Sequence, residues 1–137
     1  MDSDQQENKG GIKMEWEILD TNYISNLLEQ IYDDKDLKLV YIKGKAKRRG
    51  FGHLTLSEYN YIREKNNLEK ISIRNIEKIL FETVITFSEI NKETGISRTM
   101  LSMILRETRN TTVNALTKIC NCISNKNPNI DKSLILE

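Results

Sequence analysis

No stretch of the 137 residues stays apolar for the roughly 18 positions that a membrane-crossing helix requires, so no transmembrane span is expected. Cysteine is scarce. Cys120 and Cys122 are the only two, and on a helix residues two apart point about 200° away from each other, so they neither bridge nor clamp a metal together. They read as helix-face residues, one buried and one partly exposed. The single histidine, His53, supplies no ligand cluster, and neither a metal nor a cofactor is expected. Catalytic signatures are missing too. There are no carboxylates at a motif spacing, no phosphate-binding glycine loop and no nucleophile signature, which argues against an enzyme. The opening MDSDQQENKGG is acidic and polar and lacks the basic-then-apolar order of a secretory signal, so a cytoplasmic protein is expected. Aromatic residues make up 7% of the chain. Tyr23, Tyr32, Tyr41, Tyr59 and Tyr61 follow no regular stacking arrangement and read as core and surface packing.

What is present is a strong separation of charge. The formal net charge is only +1, yet residues 1–36 carry ten acids against Lys9, Lys13 and Lys35, a local charge of −7. Residues 37–57 carry Lys38, Lys43, Lys45, Lys47, Arg48 and Arg49 with no acid, a local +6. A block of this kind marks either a nucleic-acid contact or a solvated loop.

Residues 1–13 have almost no large apolar side chains and include Gly10-Gly11, the composition of a disordered leader. Residues 14–70 then read as a small α+β accessory unit. Asp20 or Thr21 opens a helix whose Ile24, Leu27, Leu28 and Ile31 follow the i, i+3, i+4, i+7 spacing. Alternation at Leu37, Leu39 and Tyr41, with β-branched Val40 and Ile42, predicts a short strand. A basic loop is expected over 44–52, with a second strand over 51–56. A helix from Ser57 carries Tyr59, Ile62 and Arg63 and stops at Asn66-Asn67. Residues 71–137 form the second unit. Ser72 caps a helix with the stripe Ile73, Ile76, Ile79, Leu80 and Val84.

The next segment, TFSEINKETGISRTMLSMILRETRNTTVNALTKICNCI, carries the sharpest motif. Thr86 and Glu89 stand at the spacing of a capping box, and Ile90 is the inward residue of the short helix that follows. Gly95 sits where the chain must turn sharply, because glycine adopts a left-handed backbone with little penalty. Ile96 plugs the gap between two helices, and Ser97 caps the second, which runs from Arg98 to about Arg106 and buries Leu101 and Ile104. After it, Arg109-Asn110-Thr111-Thr112 precede a further apolar helix with Val113, Leu116, Ile119 and Ile123.

Over roughly residues 72–123 this order resembles the Cro/C1-type (XRE-like) helix-turn-helix family, whose usual wording stands here as Gly95-Ile96-Ser97-Arg98-Thr99-Met100-Leu101. Four positions depart from the family pattern. Phe87 replaces a frequent Gln, Asn91 an Ala, Leu105 a Glu and Glu107 a Gly. The resemblance implies a mainly α chain, with a C-terminal helix-turn-helix bundle behind the α+β unit. It also implies a double-stranded DNA partner and a homodimer on pseudo-palindromic sites. In that reading the chain is a repressor of the phage or mobile-element type. Arg98, Thr99, Ser102 and Met103 then face bases, while Thr86, Ser97, Arg106, Arg109 and Asn110 contact phosphates. The basic segment adds Lys45, Lys47, Arg48 and Arg49 to the phosphate set. The competing reading is an interaction protein, an inhibitor of the phage type that uses its N-terminal unit on a host protein, with the acidic leader and the acidic 29–36 stretch either imitating DNA or docking on a basic surface.

Overall fold

Caps and apolar spacing divide the chain into helices. The structure, a computed structural model, describes residues 16–33, 35–107 and 110–137, so the leader expected over 1–13 lies outside the described residues. Among the described residues seven α-helices follow in order: α1 (Thr21–Glu29), α2 (Leu37–Arg49), α3 (Leu56–Lys65), α4 (Ile73–Glu82), α5 (Phe87–Thr94), α6 (Arg98–Leu105) and α7 (Val113–Lys126). Short 3-10 turns lie at Glu17–Leu19, Phe51–His53 and Lys132–Ile135. The only β-type pairing among the described residues is two isolated antiparallel bridges, Thr55 with Thr112 and Ile71 with Leu136. The protein is mainly α. No helix among the described residues is long and apolar enough to cross a membrane.

Helix α2 corrects the expected strand and most of the expected basic loop. Its buried residues are Leu39, Ile42 and Ala46, spaced for a helix, whereas the alternating set that suggested a strand splits, with Leu37 and Tyr41 left exposed. The Asp36 carboxylate starts the helix by accepting from the Lys38 N–H at 2.9 Å. Lys47, Arg48 and Arg49 occupy the last turn, where the helix dipole favours cations. Gly50, at φ 98°, ends it. The second expected strand is absent as well. Residues 51–53 form a 3-10 turn and Leu56 already begins α3.

Three other boundaries shift. The first helix ends at Glu29, which leaves Ile31 of the expected stripe beyond it. The third helix begins earlier than expected because Thr55, not Ser57, caps it, in a capping box with Glu58. The fourth keeps Ile73, Ile76, Ile79 and Leu80 buried but ends at Glu82. Val84 therefore leaves the expected stripe and stands exposed, with a left-handed φ of 56°. Both cysteines are buried, where one was expected to be partly exposed.

The buried side chains of residues 16–70 and 71–137 belong to one apolar cluster. Backbone bonds cross between the segments. The Leu56 N–H donates to the Thr111 carbonyl and the Val113 N–H to the Leu54 carbonyl, both at 2.8 Å. At the other end, Ser72 N–H reaches the Ile135 carbonyl at 2.7 Å and Glu137 N–H the Lys70 carbonyl at 2.9 Å. The buried Trp16 indole N–H donates to the Cys120 carbonyl at 2.8 Å. A further buried group is Arg63. Its guanidinium donates to the Glu69 carbonyl at 2.6 Å and the Tyr59 hydroxyl at 3.1 Å, and stacks over the Tyr59 ring. The Tyr59 hydroxyl in turn donates to the Ile18 carbonyl.

Candidate nucleic-acid interface

Helix α5 is built from its first residue. The Thr86 hydroxyl accepts from the Glu89 N–H at 3.1 Å, and the Glu89 carboxylate accepts from the Thr86 N–H at 2.9 Å. That hydrogen bond from the Thr86 backbone holds the Glu89 carboxyl below its ordinary range. Ile90 is fully buried. Gly95 closes the helix in a left-handed conformation at φ 80°, the conformation that other residues adopt only with strain. Two side chains strap the turn. Asn91 donates its amide to the Ile96 carbonyl at 2.9 Å, and the Thr94 hydroxyl accepts from the Ile96 N–H at 3.1 Å. Ile96 is half-buried against the core.

The Ser97 hydroxyl then caps α6 by accepting from the Met100 N–H at 3.0 Å. Leu101, Ile104 and Leu105 are buried, and α6 packs on α4 and α5. With about 100° of turn per residue, Arg98, Ser102, Thr99 and Met103 share one continuous arc of about 140° that begins beside Leu105 and turns away from Leu101 and Ile104. Arg98 and Thr99 are exposed, while Ser102 and Met103 are half-buried. All four expected base-reading residues thus lie together on the outward side of one helix.

Three of the four departures from the family pattern have a visible packing or bonding role. Phe87 is half-buried against the core, Leu105 is buried within it, and Asn91 makes the strap just described. Glu107 has a left-handed φ of 59°, the backbone that a glycine at this position takes without strain.

The expected phosphate-binding groups differ in exposure and engagement. Arg106 and Asn110 are exposed after α6, and Arg109 lies outside the described residues. The Thr86 and Ser97 hydroxyls are engaged as caps. Within the basic segment, Lys47, Arg48 and Arg49 are exposed on α2. Lys45 is not. Its ammonium pairs with the Glu58 carboxylate at 2.9 Å, and the two side chains retain only 14% and 12% exposure. Lys43 reaches the Ile31 carbonyl at 3.3 Å. The Thr55-x-x-Glu58 spacing was the signal that would have revealed Glu58 as a helix-start residue beside Lys45.

The end of α2 is carried toward the start of α7. A Cβ added at Gly52 would fall 2.3 Å from the Asn114 Oδ1, so the 3-10 turn after α2 lies directly against the first turn of α7. The loop after α6 enters that same turn, where the Thr112 hydroxyl caps α7 by accepting from the Ala115 N–H at 3.2 Å. At the far end of α7, Lys126 bridges back to Glu89 and Glu93 of α5 at 3.5 and 3.4 Å.

No family model matches the chain, and no curated protein and no solved structure matches it either.

Proposed function

We propose that this protein is a sequence-specific duplex-DNA-binding regulator that lays α6 in the major groove, as a helix-turn-helix does. One observation carries the reading. A tight glycine turn joins two short capped helices, and the second presents Arg98, Thr99, Ser102 and Met103 on one outward arc. Arg98 would pair with the two acceptors of a guanine, Thr99 and Met103 would offer methyl groups to thymine, and Ser102 would take a donor or an acceptor. Arg106, Arg109 and Asn110 would hold phosphates, as would the backbone N–H groups at the capped starts of α5 and α6. The basic end of α2, with Lys47, Arg48 and Arg49, extends the positive surface. Lys45 drops out because Glu58 already neutralises it.

Selection of bound duplexes from a random pool at fixed salt tests the reading. Arg98→Ala is expected to cost about 1–3 kcal/mol on the selected site and to relax preference at one base pair. Arg109→Ala is expected to weaken all sequences by a similar factor. Affinity should fall with salt at a log–log slope of about −0.9 per phosphate neutralised. A pool that yields no consensus, or a consensus untouched by Arg98→Ala, would sink the assignment.

A further inference from the structure

Helix α2 has two apolar faces, and its own chain uses only one. Leu39, Ile42 and Ala46 point into the core. On the opposite side, Leu37, Val40, Tyr41, Gly44 and Arg48 fall within an arc of about 100°. Leu37 is 84% exposed, Val40 48% and Tyr41 57%. Three of the seven large apolar side chains exposed among the described residues therefore stand in one line. Scattered exposed apolar residues need no explanation, but an aligned set on a single helix does.

Gly44 sharpens the point. A glycine in mid-helix weakens the helix, and nothing in this chain calls for one there. Its φ is not positive, and an added Cβ would meet only the far end of the Arg48 side chain, at 3.2 Å. What the missing side chain provides is room in the middle of the outer stripe, covered in the single chain by the Arg48 guanidinium and open to another backbone or a ring once Arg48 turns to a partner.

Charge identifies the occupant. The helix follows the sequence Asp33-Asp34-Lys35-Asp36, net −2, in which Asp36 is also bridged to Lys65 at 3.4 Å, and it ends in Lys47, Arg48 and Arg49. A second copy running antiparallel sets each basic end beside the partner's acidic start. We propose that α2 pairs antiparallel with α2 of a second copy of this chain, related by a two-fold axis between positions 42 and 43. In this register Tyr41 covers the partner's Gly44, and Leu37 lies beside the stem of the partner's Arg48, whose guanidinium reaches the acidic start of the helix. Such isologous pairing satisfies both copies with the same contacts. Arg48 then serves the partner helix, and Lys47 and Arg49, which flank the stripe, remain for phosphates. A single helix pair is small beside the roughly 800 Å² per partner of a standard interface, so the dimer is weak and concentration-dependent.

Sedimentation equilibrium of the full chain without DNA tests this, so a negative result leaves the DNA reading standing. The parent should pass from monomer to dimer as concentration rises. Tyr41→Glu places a charge at the centre of the stripe. It should weaken the dimer at least about tenfold while leaving the thermal melt unchanged, because Tyr41 is largely exposed. The register has its own test. Leu37→Lys sets two cations together and should weaken self-association, and Arg48→Glu should weaken it too. Mixing the two variants should restore a heterodimer, since the new lysine then faces the new glutamate. A chain monomeric at every concentration overturns the proposal. So does a dimer that survives Tyr41→Glu and is lost on Phe81→Glu, which would place the interface at the exposed Phe81 and Val84 instead. Failure of the mixture to associate overturns the antiparallel register.

Discussion

Asn67, Val84 and Glu107 have positive φ values although none is glycine. For an L-residue the left-handed region brings Cβ against a backbone oxygen at about 1–2 kcal/mol per residue, and a β-branched side chain is the worst suited to it. Val84, 77% exposed, recovers little of that by burial. Val84→Gly is therefore expected to raise stability by about 1 kcal/mol despite the greater chain entropy of glycine, read as a higher urea midpoint with an unchanged slope. Tyr59 gives a second expectation. Burial pushes its hydroxyl up to about 12 from an ordinary 10, against a smaller opposing effect of Arg63. The unfolded chain releases this proton near pH 10 and the folded chain only near 12. The Tyr59 contribution is thus intact below pH 10 and is lost between 10 and 12, by up to about 2–3 kcal/mol. The buried thiols, pushed up to about 12 for Cys120 and about 11 for Cys122, act in the same direction starting from 9. Tyr59→Phe lowers stability overall but should flatten the loss across 10–12, measured as the pH dependence of urea unfolding. An unchanged slope would mean that Tyr59 is not the group responsible.

At the scale of the element, the second half of the chain was legible because cap, period and turn agreed. Ser72, Thr86 and Ser97 each precede a helix with its apolar residues at helical spacing, and each accepts the bond that its position predicts. Helix α2 was misread because both of its sides carry apolar residues. Leu37, Leu39 and Tyr41 alternate like a strand, and only burial shows that Leu39 pairs with Ile42 and Ala46 while Leu37 and Tyr41 face outward. The basic block was misread for a related reason. Six cations without a nearby acid look uniformly solvated, yet the acid that neutralises Lys45 comes from Glu58, on the next helix. Lys45→Ala and Lys47→Ala should therefore diverge. The first leaves a mostly buried carboxylate without its partner and is expected to cost about 1–3 kcal/mol of stability. The second should change stability by less than about 0.5 kcal/mol while weakening DNA binding. Equal thermal melts for the two variants would contradict the pairing.

At the scale of the whole molecule, residues distant along the chain are tied to the second half, Trp16 to Cys120 of α7 and the mid-chain Ile71 to Leu136. Residues 71–137 expressed alone would lose the cover of Trp16 and Leu54 and the partners of the Val113 and Glu137 N–H groups. That fragment is expected to lack a cooperative melt, or to melt far below the full chain, by circular dichroism. A fragment that melts like the parent would show that this segment folds independently.

The sequence by itself determined the helices of 72–123, the turn at Gly95 and the identity of the outward residues on α6. Local rules govern all three, because a cap, a glycine and a period of 3.6 act within a few residues of one another. Tertiary structure alone decided that 37–49 is a helix, that Lys45 is neutralised, that Val84 is outside the core and that both cysteines are inside it. Those outcomes turn on which of two apolar faces finds a partner, and on contacts between residues distant along the chain. No local pattern encodes either.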